Sequence, residues 1–301
     1  MYNGIINIHK EAGFTSHDVV AKMRGILRQK KIGHTGTLDP QATGVLPVCL
    51  GSGTKLCDMI TDKEKEYVAE LLLGVVTDTQ DTTGQVLAEH TVNLDGEEVR
   101  KAVMSFVGLY DQIPPMYSAL KVDGKKLYEL ARAGKEVERK ARRVEILEIE
   151  ILQMELPVVK MRVVCSKGTY IRTLCADIGE KLGCGGTMKS LVRTGVGSFR
   201  IEDAITLTEL EKLRDEERVG ERVIPVDGLF ADCPALHIQE EFAKLLENGN
   251  PIHPRETVEQ KYYAPGEWVR FYRTDESFAG IYEYRDDKKK YLPVKMFLER
   301  E

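Results

Sequence analysis

KIGHTGTLDPQATGVLPVCLGSG, residues 31–53, sets a single carboxylate, Asp39, among glycines and apolar side chains, surroundings unlike those of a solvated charged surface. Gly33, Gly36 and Gly44 admit backbone angles closed to other residues, and Pro40 fixes its own φ while biasing Asp39 toward an extended conformation. The loop therefore presents one acid and holds it still. Taken alone, Asp-Pro also reads as an ordinary turn. What surrounds the loop decides between the two.

Upstream, residues 4–8 form a short apolar strand, and Thr15 or Ser16 caps a helix whose Val19, Val20, Met23, Ile26 and Leu27 share one face. Downstream, a short helix near residues 55–60 precedes a mostly buried strand over 66–73 and a polar turn, TDTQDTTG, that ends at Gly84. Asp95 and Glu98 have capping-box spacing ahead of a helix burying Val99, Val103 and Phe106. Residues 112–121 form an ordered loop around Pro114 and Pro115, and 144–151 and 158–165 read as paired strands. In the helix that follows, Ile171, Leu174, Cys175, Ile178 and Leu182 recur at helical spacing up to Gly183, and Arg172 sits one residue off that stripe. An arginine in a first helical turn gains nothing from the macrodipole, so a specific anionic partner is expected. Thr208 and Glu211 open an acidic helix, and the break near 224–234 separates a C-terminal segment of short aromatic runs, the pattern of a small β-barrel.

At 301 residues the chain is long for one core, and two domains are expected, residues 1–230 and 231–301. Hydrophobic residues at 42% and charged ones at 30% describe an ordinary soluble protein, and no run approaches the ~20 apolar residues of a membrane span. The first residues lack a secretory pattern, so a cytoplasmic location is expected, with no membrane partner. Six cysteines show no Cys-x-x-Cys pair and no zinc spacing with the six histidines; no metal is expected, and the thiols are read as reduced. Net charge is −5, which disfavours bulk nucleic-acid binding, but its distribution matters more. Residues 121–143 carry nine Lys/Arg against four acids, with Tyr128 and two glycine turns among them, which tilts that stretch toward a phosphate-gripping surface. Residues 200–222, with eight acids against five bases, read as a solvated acidic face.

Asp39, Tyr67 and Arg172 complete a pattern carried by GFTSHDVV (13–20), GHTGTLDPQATGVLPV (33–48), KEYVAELLLGVVTDTQDTTG (65–84), IPPMYSALKVDGKKLYELAR (113–132), CSKGTYIRTLCADIGEKLG (165–183) and SLVRTGVGSF (190–199). Together these resemble the TruB family of tRNA pseudouridine synthases over nearly all of the first 200 residues. The C-terminal portion resembles that family's PUA-type RNA-binding β domain more weakly. One departure stands at HKEAG (9–13), where the family more commonly shows Asp-Lys-Pro-x-Gly.

The resemblance implies an α+β fold: a pseudouridine synthase catalytic domain with a central mixed, largely antiparallel sheet flanked by helices, followed by a small PUA-like β domain. It implies that Asp39 is the catalytic aspartate and Arg172 its ion-pair partner. Tyr67 would pack against the target base and serve as a candidate for its proton transfer. Leu191 would wall the base pocket, His34 would stack in the space left by a flipped nucleotide, and Lys10 would lie in the N-terminal substrate-binding motif. Lys121, Lys125, Lys126 and Arg132 would grip phosphates around the target loop. The implied reaction converts uridine 55 in the T loop of tRNA to pseudouridine, an isomerisation that needs no cofactor. Sequence leaves open whether the carboxylate acts as nucleophile or as base. Two other readings stand beside this one: an RNA-binding or tRNA-folding protein without catalysis as its main role, and a guide-RNA-dependent synthase. Lacking the strongly basic tails usual in guide-dependent relatives, the chain is expected to need neither a guide RNA nor an obligatory protein partner.

Overall fold

The computed structural model describes residues 1–122 and 124–298, without the side chains of residues 121 and 122. The expected phosphate contact of Lys121 thus lies outside the described side chains. In chain order the first elements are β1 (Gly4–Lys10), α1 (Ser16–Leu27), β2 (Ile32–His34), β3 (Thr43–Leu50), α2 (Cys57–Thr61) and β4 (Lys65–Leu73). A polar hairpin of β5 (Val75–Thr77) and β6 (Val86–Glu89) leads to α3 (Gly96–Met104), β7 (Gly108–Gln112), the short pair β8 (Lys121–Val122) and β9 (Lys125–Lys126), and α4 (Leu127–Arg132). Next come β10 (Arg142–Glu155), β11 (Val158–Cys165), α5 (Ile171–Lys181), β12 (Gly186–Val196), β13 (Phe199–Arg200) and α6 (Leu207–Asp215). The C-terminal part holds β14 (Ala235–His237), α7 (Ala243–Glu247), β15 (Trp268–Tyr272), β16 (Phe278–Arg285) and β17 (Lys290–Met296).

A nine-stranded sheet runs in the order β1, β3, β12, β4, β11, β10, β7, with β2 paired to β3 and β13 to β12. Every pairing in it is antiparallel except β3 with β12, so the sheet is mixed and largely antiparallel, as expected. Strand β4 is not buried throughout: it alternates, with Lys65, Tyr67, Ala69, Leu71 and Leu73 inward and the residues between them on a more open face. The inward side carries the core that α5 covers with Ile171, Leu174, Cys175 and Ile178. A second core packs the Val19, Val20, Met23 and Ile26 face of α1 against Ile6, Ile8, Leu46 and Val48.

Helix ends follow local side-chain chemistry. Thr15 closes a capping box with Asp18, its hydroxyl accepting the Asp18 amide at 3.1 Å while its own amide donates to Asp18 at 2.8 Å. The acidic helix opens earlier than expected, because Thr206 and Glu209, rather than Thr208 and Glu211, make the reciprocal bonds. The C-terminal strands form an open four-stranded sheet in the order β14, β15, β16, β17 rather than a closed barrel. That sheet has its own apolar cluster around Phe271, Tyr282 and Tyr291. A further cluster joins Ile281 and Phe297 to Ile5, Cys49, Leu56 and Phe230, so the two sheets share a packed seam. No described helix is long and apolar enough to cross a membrane.

Candidate active site

Asp39 rides on the loop between β2 and β3, anchored on both sides by buried apolar residues, Leu38 and Ala42. Hydrogen bonds stiffen the loop: the Leu38 amide donates to Ser16 Oγ at 2.9 Å, the Ala42 amide to the Asp39 carbonyl at 3.1 Å, and the Gly13 amide to the Pro40 carbonyl at 2.9 Å. Gly36 and Gly44 have φ of +139° and +105°, where a side chain would be strained. Gly33 is small for another reason: a Cβ there would stand 3.3 Å from Cys57 Sγ.

Arg172 finds the anion its position called for. Its Nη2 donates to Asp39 Oδ1 at 3.1 Å and its Nε lies 2.9 Å from Oδ2, so both carboxylate oxygens face the fork. The same guanidinium donates to the Thr79 carbonyl at 3.1 Å and the Tyr117 carbonyl at 2.9 Å, joining three loops. The Arg172 side chain is 5% exposed and that of Asp39 is 37% exposed, so the arginine forms a floor and the carboxylate looks out of the cleft. Burial raises the Asp39 pKa above the ordinary carboxylate value and Asp81 adds to the rise, while Arg172 and Lys10 pull it down. The carboxylate is partly exposed, and with Oδ1 accepting from the guanidinium and Oδ2 2.9 Å from its Nε the pairing geometry is that of an ionised carboxylate.

The inward register of the sheet supplies the walls. Tyr67 on β4 and Leu191 on β12 are buried in the same cluster as Leu38 and Ala42. Burial pushes the Tyr67 hydroxyl up to about 12, so it is a neutral phenol at physiological pH. His34 ends β2 half-buried, its Nδ1 accepting the Gly36 amide at 3.3 Å and its ring meeting His17 edge-on at 5.1 Å. Burial, together with the charges of His17 and Arg193, lowers the His34 pKa to about 4. Its ring resonances are therefore expected to stay flat between pH 5.5 and 8 in an NMR titration; a midpoint near 6.5 would contradict this environment. By linkage, this histidine's contribution to stability is present above 6.5 and fades as pH falls toward 4.

Lys10 does not face the cleft. It is 0% exposed, and its Nζ donates to the carbonyls of Glu11, Phe14 and Pro40 at 3.1, 2.6 and 3.1 Å. An ammonium engaged this way pins the N-terminal turn to the residue after Asp39 and cannot also bind a phosphate. Lys125 and Arg132 are exposed and Lys126 is half-buried, with Lys126 and Arg132 over the Tyr128 ring at 5.3 and 5.5 Å. The Tyr128 amide donates to the Ser118 carbonyl at 3.1 Å, which ties this basic segment to the loop that Arg172 holds.

Three further residues belong to the site. Asp81, in the polar hairpin turn, places Oδ2 3.9 Å from Arg172 Nη1 as a second, more distant anion. Gln112 clamps the start of α5, accepting the Tyr170 amide at 2.8 Å and donating to the Tyr170 carbonyl at 3.0 Å. Arg193 is buried beside Tyr67, its partner across β12 and β4. Its spacing of two from Leu191 was the available signal, since both fall on the inward side of one strand.

A family model described as the N-terminal domain of TruB family pseudouridylate synthase matches residues 24–171, and one for the tRNA pseudouridylate synthase B C-terminal domain matches 172–231. The tRNA pseudouridine synthase B of Lachnoclostridium phytofermentans is 53% identical over 306 residues, covering 98% of this chain and 100% of that one. That of Alkaliphilus oremlandii is 46% identical over 301 residues, covering 99% and 100%. Among solved structures, a chain of a Cbf5-Nop10-Gar1 complex superposes with a TM-score of 0.73 at 27% identity, covering 99% of this chain and 85% of that one. With both matched models and full-length relatives at these identities, the chain belongs to the TruB family of pseudouridylate synthases.

Proposed function

We propose that this protein isomerises uridine 55 in the T loop of tRNA to pseudouridine, with Asp39 as the catalytic carboxylate. The observation that carries this reading is the Asp39 carboxylate itself, held by both oxygens on Arg172 yet open to the cleft. The relatives named above are tRNA pseudouridine synthases by name, which supports tRNA as substrate.

In this reading the N1–C1′ bond breaks, the uracil turns, C5 bonds to C1′, and the proton on C5 is lost as N1 gains one. An ionised Asp39 serves either as nucleophile at C1′ or as base at the sugar. The target base lies out of reach in folded RNA and must be extruded, at a cost of a few kcal/mol offset by stacking and pocket contacts. Tyr67 and Leu191 would enclose it, and neutral His34 would fill the vacated stack without placing a charge there. Lys125, Lys126 and Arg132 would hold the phosphates of the T arm. We assign catalysis to residues 1–230 and accessory RNA binding to 231–301, in a cytoplasmic enzyme that needs no guide RNA or protein partner.

Purified protein incubated alone with a tRNA transcript carrying tritium at uridine C5 tests this. Release of one equivalent of tritium, mapped to the single T-loop position, is expected. Tight binding without release would favour a binding or folding role, and release only after adding a guide RNA would favour a ribonucleoprotein enzyme.

A further inference from the structure

Arg193 is 1% exposed, and among the described residues no carboxylate lies within ion-pair distance of it. A guanidinium withdrawn from water without an anion is costly, so its hydrogen bonds must fix something whose placement matters. Those bonds go to the two ends of the Asp39 loop: Nε donates to the Val45 carbonyl at 2.7 Å and Nη2 to the Gly36 carbonyl at 3.3 Å. The main chain of the same residue meets Gly44 in the parallel β3–β12 pairing, so close that a Cβ on Gly44 would stand 2.2 Å from the Arg193 carbonyl oxygen. Across β4 its direct partner is Tyr67, whose hydroxyl the guanidinium meets. One side chain thus touches both hinges of the loop bearing the carboxylate and the aromatic wall of the pocket.

Resting on the uridine-isomerising reading of this cleft, we infer that Arg193 is a positioning residue, which sets the spacing between the Asp39 carboxylate and the Tyr67 ring across a turned uracil. It does not touch RNA, being sealed beneath the loop. Its planar fork serves two carbonyls lying in different directions while it packs beside Tyr67, and a lysine cannot reproduce that geometry. Displacing a reacting group by about 1 Å can cost about 10²-fold in rate, and such a displacement is what losing the fork would produce.

The test compares wild type, R193K, R193Q, Y67F and the double variant R193K/Y67F. Tritium release is measured under single turnover with saturating enzyme, tRNA affinity by filter binding, and folding by thermal melting. The expected result is at least one cooperatively melting Arg193 variant whose tRNA affinity is within about three-fold of wild type and whose rate is lower by about 10²-fold. Y67F in the R193K background should then cost far less than Y67F alone, because the tyrosine is already misplaced. A folded R193K or R193Q within five-fold of the wild-type rate would overturn the assignment, as would fully additive rate losses. So would failure of both single variants to fold, which would make Arg193 a stabilising core residue. A wild-type protein that releases no tritium would instead contradict the functional reading on which the assignment rests.

Discussion

Replacing Arg172 with methionine is expected to lower single-turnover isomerisation by at least about 10³-fold, a loss of the size seen when a preorganised charge partner leaves a catalytic site. Affinity for tRNA should stay within about three-fold, because the guanidinium faces a carboxylate and two carbonyls inside the protein and is not available to a phosphate. Two effects combine in the loss. Arg172 is the largest influence pulling the Asp39 pKa down against burial and Asp81, so without it the carboxyl holds its proton to higher pH. Any residual activity should therefore have its acid limb moved upward in pH. The substitution also frees the carbonyls of Thr79 and Tyr117 and loosens three loops at once. Breaking a buried pair from one side costs about 3–5 kcal/mol, and the opening over Asp39 puts this case at the low end. A melting curve must accompany the rate. Near-normal turnover by a folded Arg172→Met protein would remove the ion pair from the mechanism.

Much of this arrangement is legible in the sequence because it rests on local rules. The Asp39 loop announces itself through glycines and a proline whose conformational demands do not depend on tertiary context, and two of its glycines do adopt left-handed φ. Arg172 stands out by contradiction, a cation at the positive end of a helix, and that misfit correctly implied a partner 133 residues away. Capping is less secure. Thr15 closes a box as its spacing implies, but Thr206 and Thr208 are both followed three residues later by glutamate, and only packing of α6 decides between them.

The remainder depends on pairings that no single stretch contains. Asp81 is one of two aspartates in TDTQDTTG, and only the β5–β6 hairpin turns it toward Arg172. Lys10 is a substrate contact only by the resemblance, whereas its strand carries it under the Pro40 carbonyl. Gln112 looks like one more loop amide until β7 brings it against the start of α5. The C-terminal aromatic runs fit a closed barrel or an open sheet equally well by periodicity, and the ladder ends at β14 and β17 without closing.

Asp39→Asn is the most direct test, because it deletes one ionisable oxygen and little else. The amide keeps the shape of the side chain and can still accept from Arg172 through its carbonyl, while its NH2 meets the second guanidinium donor, so the fold and the cleft should survive at reduced stability. What it lacks is the negative charge and the nucleophilic or basic lone pair that either mechanism requires. Single-turnover tritium release should fall by at least about 10⁴-fold, the scale on which removal of a central catalytic group falls, with tRNA affinity close to wild type and a melting transition that stays cooperative but moves down, because the buried guanidinium loses its anion. A folded Asp39→Asn protein that releases tritium from the T-loop uridine at the wild-type rate would contradict the assignment of this carboxylate as the catalytic group.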